Sequence, residues 1–238
     1  MKQSILILLW SLSLQVTAQE NGVRKVEGSG NIVSEERALN NFTGIQSEGS
    51  FDLVITQENN QKLVVKTDDN IMPFVKTEVS SGKLRIYFSE RFHYYQPTSL
   101  KVYISAALIE KLHILGSGTA QATNQIKAKK LQYSVTGSGK ISLSVLAENI
   151  ETTITGSGTI DLEGSATSAK HNISGSGNLN ALPLASADVK ASISGSGNCL
   201  VNAETALDAS IRGGGRILYK GTPHVTSHVM GSGKISRY

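Results

Sequence analysis

The sequence predicts an all-β chain wound as a β-solenoid. Two observations lead to it: one tripeptide recurs at near-constant intervals, and apolar residues fall in fixed columns around it. Gly-Ser-Gly begins at Gly28, Gly116, Gly137, Gly156, Gly175, Gly195 and Gly231. Gly213-Gly214-Gly215 is a variant and Gly49-Ser50-Phe51 a degenerate copy. From Gly116 onward the intervals are 21, 19, 19, 20, 18 and 18 residues. Self-similarity at a fixed period is the mark of a repeat architecture.

Aligned on the first glycine, the position two before it holds Ile114, Val135, Ile154, Ile173, Ile193, Ile211 and Val229. Four after it stand Ala120, Ile141, Ile160, Leu179, Cys199, Ile217 and Ile235. Six before it stand Glu110, Leu131, Ile150, Ala169, Val189, Leu207 and Val225. Apolar and polar positions alternate, which is the period of a strand. The glycines permit positive φ and mark corners. Each repeat is then one coil of about 18–21 residues, stacked on the next at about 4.8 Å through backbone hydrogen bonds. Positions six apart suit a left-handed hexapeptide helix. The hexad is followed by a step of seven, however, which favours a right-handed coil.

The columns extend toward the N-terminus. Ile45, Leu53 and Ile55 take inward positions around Gly49, and Val26 and Ile32 do so around Gly28, so the solenoid is expected to begin near residue 24. Residues 19–56 are read as N-terminal strands and first coils, and residues 100–238 as the regular coils. Between them, residues 57–99 carry the strand-like Lys62–Lys66 and Lys83–Phe88 and a turn at Met72-Pro73. This segment is expected to be a β insertion that partly caps the stack.

Residues 1–18 read as a secretory signal: Met1-Lys2 is positive, Ile5–Trp10 is apolar, and Val16-Thr17-Ala18 offers small residues before a cut at Gln19. Export is therefore expected, to the periplasm, the outer-membrane surface or the exterior. No later stretch approaches the 18 apolar residues of a membrane span. With 39% apolar and 18% charged residues and 4 prolines, the chain is neither disordered nor collagen-like. Its 23 basic and 19 acidic residues leave +4, and no basic run exceeds Lys127–Lys130, so nucleic-acid binding is not expected. One cysteine, Cys199, excludes a disulfide framework.

Several stretches resemble one family. They are Phe42-Thr43-Gly44-Ile45, Gly49 through Gln57, Asp69-Asn70-Ile71, Gly82-Lys83-Leu84, and Val102–Ser105 leading into Leu112–Gly118. On these the chain resembles the head GIN domain family, secreted bacterial proteins labelled auto-transporter adhesins. The resemblance implies an all-β, β-helical body and an adhesin-like role. It brings no catalytic residues. Repeats reach Gly231–Ile235, so no C-terminal membrane barrel is expected within the chain.

Chemistry is sparse. Asp161 and Glu163 share one face about 6.6 Å apart by strand rise, near the separation of glycosidase carboxylates. No acid or base stacks beside them in their columns, so a solvated face is the simpler reading. No periodic Asp supports calcium, and no metal or cofactor is expected. His224 and His228 lie about 13 Å apart on a strand, too far to share one ion. His171 falls on an inward column, as does Cys199. Thr153-Ile154-Thr155 has no Thr-x-Thr neighbour in adjacent coils, which removes an ice-binding face. The loop Arg91-Phe92-His93-Tyr94-Tyr95 joins aromatics to bases, and Arg91, Phe92, Tyr94 and Tyr95 are the candidate contact residues. The alternative is that Phe92 and one tyrosine plug the solenoid end. The reading is an exported, non-enzymatic binding module for a surface glycan or envelope protein. A carbohydrate-active β-helix enzyme and a purely structural envelope protein are the alternatives.

Overall fold

The computed structural model describes residues 24–89 and 93–238. The signal reading therefore lies outside the described residues. Strands β1 to β9 are Arg24–Glu27, Ile32–Glu36, Gly44–Gly49, Asp52–Gln57, Lys62–Asp68, Val75–Ser80, Lys83–Phe88, His93–Gln96 and Leu100–Ala106. Strands β10 to β14 are Lys111–Gly116, Thr119–Ala122, Ile126–Gly137, Lys140–Gly156 and Thr159–Gly175. Strands β15 to β19 are Asn178–Gly195, Asn198–Gly213, Arg216–Lys220, His224–Met230 and Lys234–Arg237. The fold is a β-solenoid of about 7 turns. No helix among the described residues is long and apolar enough to cross a membrane.

The columns are ladders. Ile154 pairs with Ile173, Ile160 with Leu179 and Ile150 with Ala169, coil upon coil in parallel register. The column two before the glycine is 0–3% exposed from Ile114 to Ile211. Only Val229, on the last coil, is open at 41%. Each fully buried Ile or Leu contributes about 1.5–3 kcal/mol. His171 lies inside this core, its Nδ1 at 2.8 Å from Thr152 Oγ1. Burial pushes its pKa down to about 4, so it is neutral at neutral pH. Cys199 is also buried, its thiol pushed up to about 12 by desolvation.

The N-terminal half differs from the simple stack. β7 pairs in parallel with β3, Ile45 opposite Leu84, and β9 pairs in parallel with β4, Leu53 opposite Val102. Residues 83–106 therefore supply a coil that lies outside the coil of β3 and β4, although they follow it in sequence. Beyond this coil the pairing turns antiparallel: β6 lies on β7, β5 on β9, and β2 on β5. These strands cover the parallel edge that would otherwise be free to pair.

Gly28-Ser29-Gly30 is not a coil corner. β1 pairs only with β8, and β2 runs antiparallel to β5. The tripeptide instead wraps the carboxylate of Asp68, which occupies the space a Gly28 side chain would need. Gly30 N–H and Thr98 N–H donate to Asp68 at 2.8 Å each. Ser29 Oγ and Asn31 Nδ2 donate to Asp69, and Asn70 Nδ2 donates to the Glu27 carbonyl. Burial alone would raise the Asp68 carboxyl, but the bonds from Gly30 and Thr98 outweigh it and hold it below the usual range.

A carboxylate with a depressed pKa stabilises the fold fully above its unfolded value, about 3.9, and ceases to as pH falls through the folded value. Asp68→Asn is therefore expected to lower the melting temperature at neutral pH. The gap from the parent should narrow toward the most acid pH at which both fold. Melting curves across that range check it; a gap that does not change with pH counts against the assignment.

Candidate functional site

Outward positions on β3, β10, β12 and β13 form the floor of an open groove of about 670 Å³. The β6–β7 hairpin, turning at Ser81-Gly82, rises along one side. The strand period places Gln46, His113, Ser134 and Thr153 in one outward ladder, since His113 pairs with Gln46 and Ser134, and Ser134 with Thr153. Beside it runs a second ladder of Lys111, Gln132 and Glu151. Lys83 Nζ donates to Gln46 Oε1 at 2.9 Å, and Gln46 Nε2 donates to Glu48 at 2.8 Å. Arg85 reaches both Glu48 and Glu78 and lies 4.0 Å over the Tyr87 ring. Glu151 accepts from Lys170 at 2.7 Å, which holds its carboxyl below the usual range.

His113 contacts Thr136 Oγ1 at 3.3 Å. Its pKa is lowered by burial first and then by Lys83, against the pull of Glu48, so the ring is neutral at neutral pH. Lys111 is exposed and in no ion pair among the described residues. The groove is therefore a bed of donors and acceptors, with its carboxylate Glu151 already matched to Lys170 and the nearby Glu48 to Arg85. Such a surface holds a polar ligand by many modest bonds.

Of the sequence-predicted contact residues, Arg91 and Phe92 and the side chain of Tyr94 lie outside the described residues. Tyr95 departs from the expectation of an exposed contact residue: it is 9% exposed. Its ring stacks on Phe88 at 4.2 Å and tilts against Phe74 at 5.3 Å, and Phe88 in turn stacks on Phe51 at 4.9 Å. Tyr95 thus packs into an aromatic cluster with Phe74 and Phe88, on the strand that pairs with β1. Asp161 and Glu163 line a separate depression, with Asp161 tied to Lys140 at 2.8 Å. His224 and His228 are exposed. No three His, Cys, Asp or Glu among the described residues are grouped to hold a metal ion.

A family model described as "putative auto-transporter adhesin, head GIN domain" matches residues 41–223. The chain belongs to this family. Solved structures share its fold. A putative adhesin from Bacteroides fragilis is 23% identical with a TM-score of 0.85, covering 90% of this chain and 100% of its own. A putative lipid binding protein from Parabacteroides distasonis is 26% identical with a TM-score of 0.77, over 90% of this chain and 100% of its own. A putative adhesin from Parabacteroides merdae is 22% identical with a TM-score of 0.69, over 91% of this chain and 100% of its own. No curated protein matches the chain. The head GIN family gives the solenoid an adhesin-like setting, and the polar groove is an open concavity on its outer face.

Proposed function

We propose that this head GIN protein is an exported, non-enzymatic binding module that holds a hydroxyl-rich surface ligand, a glycan or the polar head of a glycolipid. One observation carries the reading. The groove by Gln46, Lys83, Lys111 and His113 is floored by polar side chains on paired strands, and its one carboxylate, Glu151, is neutralised by Lys170. Family membership supports the adhesin-like role, and export follows from the amino-terminal signal reading. The similar structure from Parabacteroides distasonis, a putative lipid binding protein, supports keeping the lipid head within the ligand class. The segment carrying Arg91, Phe92 and Tyr94 belongs to the proposal as a second contact element, on its composition alone.

The test is a glycan array probed with the mature chain, followed by titration of the best hit. Saturable binding without product release is expected. Lys111→Glu with His113→Ala should weaken it at least tenfold at an unchanged melting temperature, because both side chains lie outside the core ladders. Release of a cleaved product overturns the non-enzymatic reading; an array with no hit overturns the glycan.

A further inference from the structure

A second site follows from the coil lengths. Between Gly137 and Gly175 lie two coils of 19 residues, and the coils on either side are longer, at 21 and 20. The extra residues of the first emerge at Thr123–Gln125. They are held rigidly: Asn124 Nδ2 donates to the Gln57 carbonyl at 2.8 Å, Gln57 N–H donates back to Asn124 Oδ1 at 2.9 Å, and Thr123 Oγ1 meets Thr56 Oγ1 at 2.7 Å. The extra residue of the second emerges near the exposed Pro183, since Asp161 pairs with Asn180 but Gly164, three residues on, pairs with Leu184, four residues on. Two regular coils between two raised ones make a trough of about 520 Å³.

Its floor is the outward columns of four coils: Gln121, Ser142, Asp161 and Asn180, with Ser144 and Glu163 beside them. Four coils at about 4.8 Å spacing give a floor about 14 Å across, set out with a repeat close to that of linked sugar rings. Asp161 is neutralised by Lys140. Glu163 is exposed and unpaired among the described residues, so the trough keeps one negative charge. We infer that this trough binds a short saccharide bearing an amino group, with Glu163 taking the ammonium and Asp161, Asn180, Gln121 and the two serines taking hydroxyls. Carboxylate–ammonium bonds are charge-assisted and roughly twice as strong as neutral ones, which makes Glu163 the discriminating residue. The site stands apart from the Lys111–His113 groove and does not depend on it.

The experiment is a titration of isotope-labelled mature protein with the tetrasaccharide of glucosamine, followed by amide NMR at mildly acid pH. There the sugar amines are protonated. Shifts are expected at Ser142, Ser144, Asp161, Glu163 and Asn180. Glu163→Gln should weaken binding at least fivefold while leaving the rest of the spectrum in place, and the fully N-acetylated tetrasaccharide should bind at least fivefold more weakly to the parent. Absent shifts, equal affinity of the two sugars, or equal affinity of Glu163→Gln and parent overturn the inference. Shifts confined to Lys83, Lys111 and His113 overturn it too, while leaving the groove reading intact.

Discussion

Ile173→Asp is expected to leave the chain largely unfolded at room temperature. Ile173 is 3% exposed and pairs with Ile154 on one coil and Ile193 on the next. Its Cγ2 packs so close to Gly197 that a side-chain carbon there would lie 2.7 Å from it. The replacement removes a branched apolar side chain and puts a carboxyl in its place, between two isoleucines that can offer it no hydrogen bond. An unpaired buried charge is among the few single changes that cost more than about 4 kcal/mol. A native fold typically has only about 5–15 kcal/mol in hand. Asn178→Asp is the matched control. Asn178 is exposed, and its side-chain oxygen accepts from Asn198 Nδ2 at 3.0 Å, a bond a carboxylate keeps. Its stability should change by less than about 0.5 kcal/mol. Urea melts of the two variants decide the matter: equal shifts would mean that the inward and outward columns are wrongly assigned.

The regular coils were legible because two local signals coincide in every repeat, a glycine corner and a strand-period column. Parallel stacking then forces like residues into register, as Ile141, Ile160 and Leu179 show. Local signals fail where pairing is long-range. Nothing in residues 83–106 repeats the tripeptide, so their place outside the β3–β4 coil is not written in spacing. It follows from Leu84 and Ile86 matching the ladder of Ile45 and Ser47. Gly28-Ser29-Gly30 has the letters of a corner but another cause. There the positive φ falls on Gly30, not on the first glycine, and the close neighbour is Asp68. The Lys111–His113 groove escaped because its wall, the β6–β7 hairpin, is distant in sequence from its floor. The Asp161–Glu163 pair was visible, but the trough around it appears only when unequal coil lengths are read as raised walls.

Gly137→Ala is expected to destabilise the protein by about 2–6 kcal/mol, the sum of two separate costs. Gly137 sits at φ +115°, where a side chain adds about 1–3 kcal/mol of strain. Its added methyl would also lie 2.6 Å from the Gly116 carbonyl oxygen of the coil beneath. That oxygen accepts the Ser138 N–H at 2.9 Å, the bond that fixes the corner. The clash must push two coils apart, which costs about 1–3 kcal/mol more in a close-packed interior. Gly139 stands under the same constraint, since a methyl there would meet Ile114 Cγ2 at 2.7 Å and the Gly118 oxygen at 2.8 Å. Gly214 should behave in the opposite way. It holds the middle position, elsewhere a serine, and the nearest atom to an added carbon is Ser232 Oγ at 3.4 Å. Gly214→Ser is then expected to be neutral or to stabilise by about 0.4–1 kcal/mol, through the smaller entropy of its unfolded chain. Denaturant melts of Gly137→Ala and Gly214→Ser should move in different directions or differ by at least about 2 kcal/mol. Equal losses at both positions would show that the tripeptide is uniformly intolerant and that neither positive φ nor coil contact explains its outer glycines.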